Sequence, residues 1–242
     1  MTTPAEPVRD RQPSRTPVAI DLPRPRPARA GLEGRDARLE PLEADRHAAS
    51  LYRLGHDGSG AALRSWEYLP YGPFAGEDAL RAWIDTHAAG ADPHFFAIVD
   101  PASGEAKGWG SLMTIEPAHA SIEIGHLWFS PAMQRTPMAT EAVFLLLRHA
   151  LDDLGYRRME WKCDAANAPS RRAAVRFGYL HEGTFFNHRV VKGRNRDTAW
   201  FSILAEEWPA LRAAFEAWLA PENFDAAGRQ LRSLGDLMGR GS

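Results

Sequence analysis

The chain has 242 residues, of which 44% are hydrophobic and 25% are charged, and its formal net charge is −2. This balance is typical of a globular protein with a sizeable core, and it lacks the basic excess that nucleic-acid binders usually carry. The single cysteine, Cys163, excludes an internal disulfide and a metal site built of thiolates, which favours a reducing, cytoplasmic compartment. No apolar run is long enough to predict a transmembrane helix, so no membrane partner is expected.

The two ends of the chain differ from its body. Residues 1–33 are rich in proline and arginine and poor in large apolar side chains, so we expect a disordered tail. Polyproline docking through Pro23–Pro27 is an alternative. The domain is expected over residues 34–219. Residues 220–242 form a second tail, with a short helix around Leu231, Leu234 and Leu237 that could cover an edge, join a partner chain or stay loose.

The first half of the domain contains a strand, two helices and a three-stranded meander. The pattern predicts the first strand at Arg38–Leu42 and helices at Glu43–Leu54 and Gly76–Ala88, separated by an irregular aromatic and proline-rich segment at Glu67–Gly76. The meander strands are predicted at His94–Val99, Gly108–Ile115 and Ser121–Phe129. Strict alternation in the third strand places Ile122, Ile124, His126 and Trp128 on one face and Glu123, Gly125, Leu127 and Phe129 on the other.

The second half alternates helices and strands. We predict helices at Met138–Leu154, ended by Gly155, at Asn167–Phe177 and at Glu206–Leu219. Strands are predicted at Arg158–Cys163, with Met159, Trp161 and Cys163 on one face, and at Thr198–Leu204. The order indicates a mixed α/β (α+β) sheet, antiparallel at first and parallel later, with flanking helices.

Two segments carry chemical information. Residues 130–142 form a polar loop that opens a long helix, and free amides at a helix N-terminus favour phosphate. A plain strand–loop–helix joint is the alternative. In the second segment, Asn167 is a natural N-cap of the helix that contains Ser170 and ends at Gly178.

Together these segments resemble the GNAT N-acetyltransferase superfamily, and more closely its RimJ/RimL-like branch. The signature Gln/Arg-x-x-Gly-x-Gly/Ala reads Gln134-Arg135-Thr136-Pro137-Met138-Ala139 here, followed by Thr140-Glu141-Ala142. The second signature, Asn-x-x-Ser leading to Gly-Phe, is Asn167 to Ser170 and then Gly178-Tyr179. Further likenesses are Ile122 to Gly125, Arg196-Asp197 leading to Ser202-Ile203-Leu204, and Glu207-Trp208-Pro209. The resemblance covers roughly residues 37–218.

The resemblance implies transfer of an acetyl group from acetyl-CoA to a primary amine, by direct attack in a ternary complex. The acceptor would be a protein N-terminus or a small amine. A non-catalytic acyl-CoA-binding or interaction module with the same fold is the alternative, and Pro137 favours it because it replaces the usual glycine and donates no N–H. No metal is expected, no nucleic-acid partner is expected, and a homodimer is left open.

The resemblance also implies a set of site residues. Coenzyme contacts are expected from the backbone of Leu127, Trp128 and Phe129, with the Leu127 amide as oxyanion donor, from the loop residues Gln134, Arg135, Thr136, Met138, Ala139 and Thr140, and from Asn167, Ser170 and Phe177. Ser170 would protonate the leaving thiolate, or would only cap its helix. Phe177 would pack against the coenzyme or fill the core.

The resemblance implies that Glu123 is the general base, because it lies eleven residues before Gln134, a spacing that matches a base position used in several members of the superfamily. Its alternative is a glutamate that pairs with a neighbouring strand or lies at an exposed edge. His126 would replace it if a bulge turned that side chain inward. Cys163 is expected to be buried rather than nucleophilic.

The acceptor side is less defined by the sequence. Trp66, Tyr68, Tyr71 and Phe74 are expected to form an aromatic wall of the acceptor groove, or to pack their loop onto the core. The basic stretch that contains His188, Arg189, Lys192, Arg194 and Arg196 would attract an acidic acceptor, or would be a solvated hairpin.

Overall fold

The computed structural model describes residues 11–240. Its eight strands are β1 (Leu32–Glu33), β2 (Arg38–Pro41), β3 (His94–Val99), β4 (Ala106–Glu116), β5 (Ser121–Phe129), β6 (Arg158–Asp164), β7 (Leu180–Val191) and β8 (Arg194–Leu204). Its α-helices are α1 (Ala44–Gly55), α2 (Gly60–Arg64), α3 (Glu77–His87), α4 (Pro137–Arg148), α5 (Ala168–Arg176), α6 (Trp208–Leu219) and α7 (Leu234–Leu237). No helix in this part of the chain is long and apolar enough to cross a membrane.

The strands form one mixed sheet in the order β1-β2-β3-β4-β5-β6-β8-β7. The mixed α/β class predicted from sequence is confirmed. Within the described residues, parallel pairing is confined to β5 and β6, and the sheet returns to antiparallel pairing at β8 and β7. The later strands are therefore less parallel than predicted, because β7 and β8 form a long hairpin rather than crossover units.

Helices cover both faces of the sheet. On one face α4, α5 and α6 pack on β5, β6 and β8 and form the larger core, which includes Met159, Trp161 and Cys163 as predicted. On the other face α1 and α3 cover β2 to β5, and the core there is built around Trp66, Trp109 and Trp128. The alternating pattern of β6 thus places its apolar residues inward and leaves Glu160 and Lys162 on the opposite face.

The predicted helix at Met138–Leu154 is continuous but not uniform. Its α-helical part is α4, and a π-helical turn at His149–Asp153 extends it to Gly155, which has a positive φ of 66°. A left-handed residue suits the end of a helix, and glycine adopts it without steric cost.

Residues 11–31 contain no helix or strand, yet they contact the domain. Arg24 Nε donates to the Leu154 carbonyl at 2.9 Å, and the Tyr156 hydroxyl donates to the Pro25 carbonyl at 3.2 Å. The Arg11 guanidinium pairs with Glu207 at 2.6 Å. Disorder of this segment stays a prediction, and residues 1–10 of the predicted tail, like residues 241–242 at the other end, lie outside the described residues.

Candidate active site at the β5/β6 cleft

The pairing between strands β5 and β6 stops before either strand ends. Their pairing runs from Ser121 and Arg158 to Ile124 and Trp161, whereas β5 continues to Phe129 and β6 to Asp164. Beyond Ile124 the edge of β5 that faces β6 is therefore free of sheet pairing. An open strand edge of this kind can pair with an extended, amide-containing ligand.

A β-bulge in β5 changes which side chains face the cleft. Gly110 of β4 lies opposite both His126 and Leu127, and His126 has a φ of 51°. The extra residue reverses the alternation, so His126 and Trp128 lie on the face of Glu123, whereas Leu127 and Phe129 pack towards the other core. The prediction that Glu123 and Leu127 share a face was therefore wrong, and the alternative with a bulge at His126 is the one observed.

Glu123 is a buried carboxylate on this face. Its Oε2 accepts hydrogen bonds from Lys162 Nζ at 2.9 Å and from Thr114 Oγ1 at 3.0 Å. Burial raises the pKa of Glu123, and the Lys162 ammonium and the Thr114 hydroxyl act against that rise. A carboxylate that is paired yet has a raised pKa can accept a proton near neutral pH.

Lys162 links Glu123 to the other polar side chains on this face of the sheet. Its Nζ lies 2.8 Å from the Glu160 carboxylate and 4.2 Å from the centre of the Trp200 ring. Burial lowers the pKa of Lys162, but the carboxylates of Glu123 and Glu160 outweigh it and leave that pKa raised. The side chain is thus a cation held between two carboxylates.

His126 is placed near the cleft but is a weak base. Its Nδ1 lies 3.1 Å from the Tyr71 hydroxyl, and the two rings stack with centroids 5.5 Å apart. Burial, followed by the charges of His87 and Arg196, lowers the pKa of His126 to about 4. The imidazole is therefore neutral at pH 7 and binds a proton poorly, so Glu123 is the better base.

The loop before α4 presents unpaired backbone donors. Thr136 is the N-cap of α4, with its Oγ1 accepting from the Ala139 amide at 3.4 Å, and Arg135 has a positive φ of 63°. The amides of Arg135, Thr136 and Met138 donate to no acceptor within residues 11–240. These donors, together with the positive end of the helix dipole, suit a phosphate group.

The side chains of this loop divide into two groups. Gln134 and Arg135 are exposed, and Gln134 Nε2 donates to the Phe129 carbonyl at 3.1 Å. Met138, Ala139 and Thr140 are buried, and Thr140 Oγ1 accepts from Arg176 at 3.0 Å. Any ligand contact from these three would therefore come from the backbone.

On the other side of the cleft, α5 begins directly after β6. Asn167 caps it, with Oδ1 accepting from the Ser170 amide at 3.1 Å, and Trp161 Nε1 donates to Ser170 Oγ at 3.0 Å. The indole thereby fixes the serine oxygen and leaves the serine O–H as a donor. Burial, opposed by the Ser170 hydroxyl, raises the pKa of the Cys163 thiol to about 11, so this buried thiol stays protonated.

The four aromatic residues predicted for the acceptor wall do not share one environment. Trp66 is fully buried and stacks on Trp128 with ring centroids 4.7 Å apart, so it packs its loop onto the core. Phe74 packs edge-on against Trp66. Tyr71 reaches His126, and the Tyr68 hydroxyl donates to the Ala166 carbonyl at 3.3 Å, beside the start of α5.

Comparison with known proteins decides the family. Residues 37–180 match the GNAT acetyltransferase domain model. A GCN5-related N-acetyltransferase structure from Brucella melitensis is 48% identical, covers 92% of this chain and 100% of its own, and superposes with a TM-score of 0.88. A GNAT-family structure from Chromobacterium violaceum ATCC 12472 is 44% identical, with coverage of 84% and 100% and a TM-score of 0.75.

The chain belongs to the GNAT acetyltransferase family. It is thus an acyltransferase, as the sequence predicted. It is also 26% identical over 172 residues, 70% of this chain and 90% of the relative, to the Bacillus subtilis (strain 168) protein named "Putative ribosomal N-acetyltransferase YdaF". That name accords with the RimJ/RimL-like branch.

In this GNAT acetyltransferase the predicted Glu123, Asn167 and Ser170 flank the cleft, whereas Phe177 lies in the core against Trp161 and Phe215. Sequence reasoning missed Lys162 and Thr114, the two partners of Glu123. Lys162 had a usable signal, because it lies on the polar face of an alternating strand. Thr114 had none, because the irregular pairing of β4 brings it to Glu123.

Among the described residues of the acetyltransferase, no group of three or more His, Cys, Asp or Glu side chains is placed to hold a metal ion.

Proposed function

We propose that this acetyltransferase moves an acetyl group from acetyl-CoA to a primary amine by direct attack within a ternary complex. The observation that carries the proposal is the buried Glu123 carboxylate, which pairs in register with β6 one residue before the two strands diverge. A proton acceptor is thereby positioned beside an opening where an acyl donor and an amine can meet.

The residues around the cleft fit acetyl-CoA. The pyrophosphate would bind the amides of Arg135, Thr136 and Met138, with the Arg135 guanidinium as a charged contact. The pantetheine amides would pair with the free edge of β5 at Leu127–Phe129, close to Asn167. Acetyl-CoA supplies an activated acetyl group as its thioester.

Each proton can be followed. Glu123 takes one proton from the attacking ammonium, so that the neutral amine forms the new C–N bond, and the nitrogen gives up its second proton to solvent as the tetrahedral intermediate collapses. The Leu127 amide stabilises the charge that develops on the carbonyl oxygen. As the C–S bond breaks, the Ser170 hydroxyl gives its proton to the thiolate and regains one from solvent.

Two classes of acceptor remain, and each has support. The name of the Bacillus subtilis relative favours an N-terminal amine of a protein, here proposed as a ribosomal one. A small amine is supported by the polar setting of Glu123, which is held by two side chains and is largely buried. The alternative is a non-catalytic acyl-CoA-binding module, favoured by the missing amide at Pro137.

Calorimetry with acetyl-CoA, followed by a thiol-release assay with N-terminal peptides and small amines, tests the proposal. We expect tight binding by the wild-type chain and weaker binding by an Asn167→Ala, Ser170→Ala double variant. Glu123→Gln should bind acetyl-CoA normally but lose about 10²–10⁴-fold in kcat/KM, the usual contribution of a general base.

The exposed Glu116 of β4 provides the matched control, because Glu116→Gln makes the same chemical change away from the cleft. A folded wild-type chain that fails to bind millimolar acetyl-CoA would exclude the enzyme function. Binding without turnover of any amine would support the non-catalytic module.

A further inference from the structure

One face of the β7/β8 hairpin continues the polar face that holds Glu123. Along β8, Ala199, Phe201 and Ile203 point into the core, so Arg196, Thr198, Trp200 and Ser202 point to the opposite face. Trp200 pairs in register with Lys162, and Thr198 pairs with Asp164 at the end of β6 that borders the cleft.

The two ends of this face differ in how well their polar groups are paired. At the far end, Ser202 Oγ donates to Glu182 at 2.6 Å and accepts from Arg11 at 2.6 Å. At the cleft end, four buried polar atoms have no hydrogen-bond partner among the described residues: Arg196 Nε, Thr198 Oγ1, Trp200 Nε1 and His188 Nδ1. Thr198 is only 1% exposed.

Buried polar groups in folded proteins are nearly always paired, so several orphans on one surface need a common explanation. Three of the four atoms belong to groups that donate hydrogen bonds, namely a guanidinium, a hydroxyl and an indole. Donors that share one face of a strand suit an acceptor-rich group such as a carboxylate.

The charged side chains of this face also favour a carboxylate ligand. Arg158 and Lys162 each pair with carboxylates, whereas Arg196 makes no ion pair with any residue from 11 to 240. Burial, His87 and Arg196 lower the pKa of His126, and burial, Arg189 and Arg196 lower the pKa of His188, so the Arg196 charge acts on both rings. The cleft end of this face therefore carries a half-buried cation that makes no ion pair among the described residues.

The distance to the general base suits a bifunctional acceptor. Lys162 Nζ contacts Glu123 at 2.9 Å and also covers the Trp200 ring at 4.2 Å, so a single side chain separates the base from this surface. Thr198 is one same-face step further along β8, about 7 Å at the usual rise per residue. An acceptor a few bonds long could reach both.

The hairpin is held against the aromatic segment at residues 66–76. Lys192, at its turn, donates through Nζ to the carbonyls of Trp66 at 3.1 Å and of Gly72 at 2.9 Å. These bonds tie the hairpin to the aromatic segment that carries Tyr71. The surface beside Arg196 thus belongs to a hairpin that is fixed to the domain at its turn.

We propose that the amine acceptor carries a carboxylate, and that Arg196, Thr198 and Trp200 bind this group. The proposal rests on the proposed function for the identity of the amine site, and it adds the acceptor's chemical class. It assigns a binding role to one residue of the basic stretch, Arg196, and none to the exposed Arg189 and Arg194.

Binding of defined probes to the full chain tests this without any acetyl transfer. The probes are β-alanine, ε-aminocaproate and an acidic dipeptide, each beside its carboxamide counterpart. The readout is the indole N–H resonance of Trp200, assigned by its loss in Trp200→Phe. We expect at least one carboxylate probe to shift this resonance saturably, and its carboxamide to bind at least about tenfold more weakly.

Two variants that each remove one arginine charge distinguish a local carboxylate-binding site from a general electrostatic attraction. Arg196→Gln should lose the carboxylate preference, whereas Arg194→Gln should keep it. Equal effects of the two variants, equal binding of carboxylate and carboxamide, or no shift with any probe would overturn the proposal. A dipeptide preferred over the small probes would identify a peptide as the source of the carboxylate.

Acetyl-CoA calorimetry on Arg196→Gln completes the design. Unchanged coenzyme affinity is expected, because Arg196 lies on the acceptor side of the sheet. A large loss would assign Arg196 to the coenzyme instead and overturn the proposal. Failure of acetyl transfer alone, with the carboxylate preference intact, would count against the proposed function and leave this binding site standing.

Discussion

At the scale of single residues, burial decides what the candidate catalytic groups can do. Glu123 and His126 lie on the same face of β5, yet burial raises the pKa of the carboxyl and lowers that of the imidazole. Both shifts favour the neutral form. The consequence is opposite for the two groups, because a carboxyl with a raised pKa becomes a stronger base and an imidazole with a lowered pKa becomes a weaker one.

Lys162→Met should move the acid limb of the activity profile to higher pH. The Lys162 charge lowers the pKa of Glu123 against burial, so its loss lets that pKa rise further. Activity needs the ionised carboxylate, which is lost as pH falls through this pKa. The measurement is kcat/KM against pH. Lys107→Met, which removes a lysine that pairs with Asp100 rather than with Glu123, should leave the limb unmoved. An unmoved limb in Lys162→Met would contradict the assignment of Glu123 as the base.

Cys163 should resist alkylation in the folded chain. With a pKa of about 11, its thiol is only about one-thousandth ionised at pH 8, and it is also buried. We expect Cys163 to react slowly with iodoacetamide in buffer and fast in urea. Mass spectrometry measures the extent of alkylation in each case. Rapid labelling of the native protein would contradict this prediction, because it would show that the Cys163 thiol is accessible and ionised.

At the scale of the elements, two local irregularities shape the cleft. The bulge at His126 ends the regular alternation of β5, and the divergence of β5 from β6 frees a strand edge. The start of α4 adds amide donors at Arg135, Thr136 and Met138. The coenzyme contacts proposed here therefore come mainly from the backbone, and Pro137 removes one amide from that set.

Pro137→Ala should strengthen acetyl-CoA binding. The substitution restores one amide to the N-terminus of α4, and a hydrogen bond to a phosphate contributes roughly 1 kcal/mol net, or about fivefold in Kd. Calorimetry measures the change. Pro131→Ala, in the same loop but before the helix, serves as the control and should have no effect. Unchanged or weaker binding by Pro137→Ala would show that this position does not face the phosphates.

At the scale of the whole molecule, the C-terminal segment completes the core. Trp218 Nε1 donates to Gln230 at 2.8 Å, Asn223 Nδ2 donates to the Arg232 carbonyl at 3.1 Å, and Leu234 is 1% exposed. The short helix α7 therefore packs against α6. The sequence left open whether this segment covers an edge, joins a partner chain or stays loose, and here it lies against α6.

Leu234→Ala should destabilise the domain by about 2–5 kcal/mol, the usual cost of removing a buried leucine side chain. Leu231→Ala is the matched control, because Leu231 is 64% exposed and its loss should change stability by no more than about 0.5 kcal/mol. Urea unfolding followed by tryptophan fluorescence measures both. Equal effects of the two variants would mean that the segment after α6 does not unfold cooperatively with the rest of the domain.

Local pattern was enough for most of the elements. The strands β3 and β5 have the predicted bounds, and β6 and α5 were predicted from alternation and from the Asn167 cap. The motifs at Gln134–Ala142 and Asn167–Ser170 predicted the family. These features depend on residues close together in the chain, and so the sequence alone determined them.

Tertiary structure decided the rest. The bulge that turns His126, the Lys162 and Thr114 partners of Glu123, and the burial of Trp66 each depend on which strand or loop lies alongside. The unpaired donors around Arg196 became visible only when β7 and β8 lay beside β6. Pairing between distant segments follows from the packing of the whole sheet, and short-range periodicity carries no information about it.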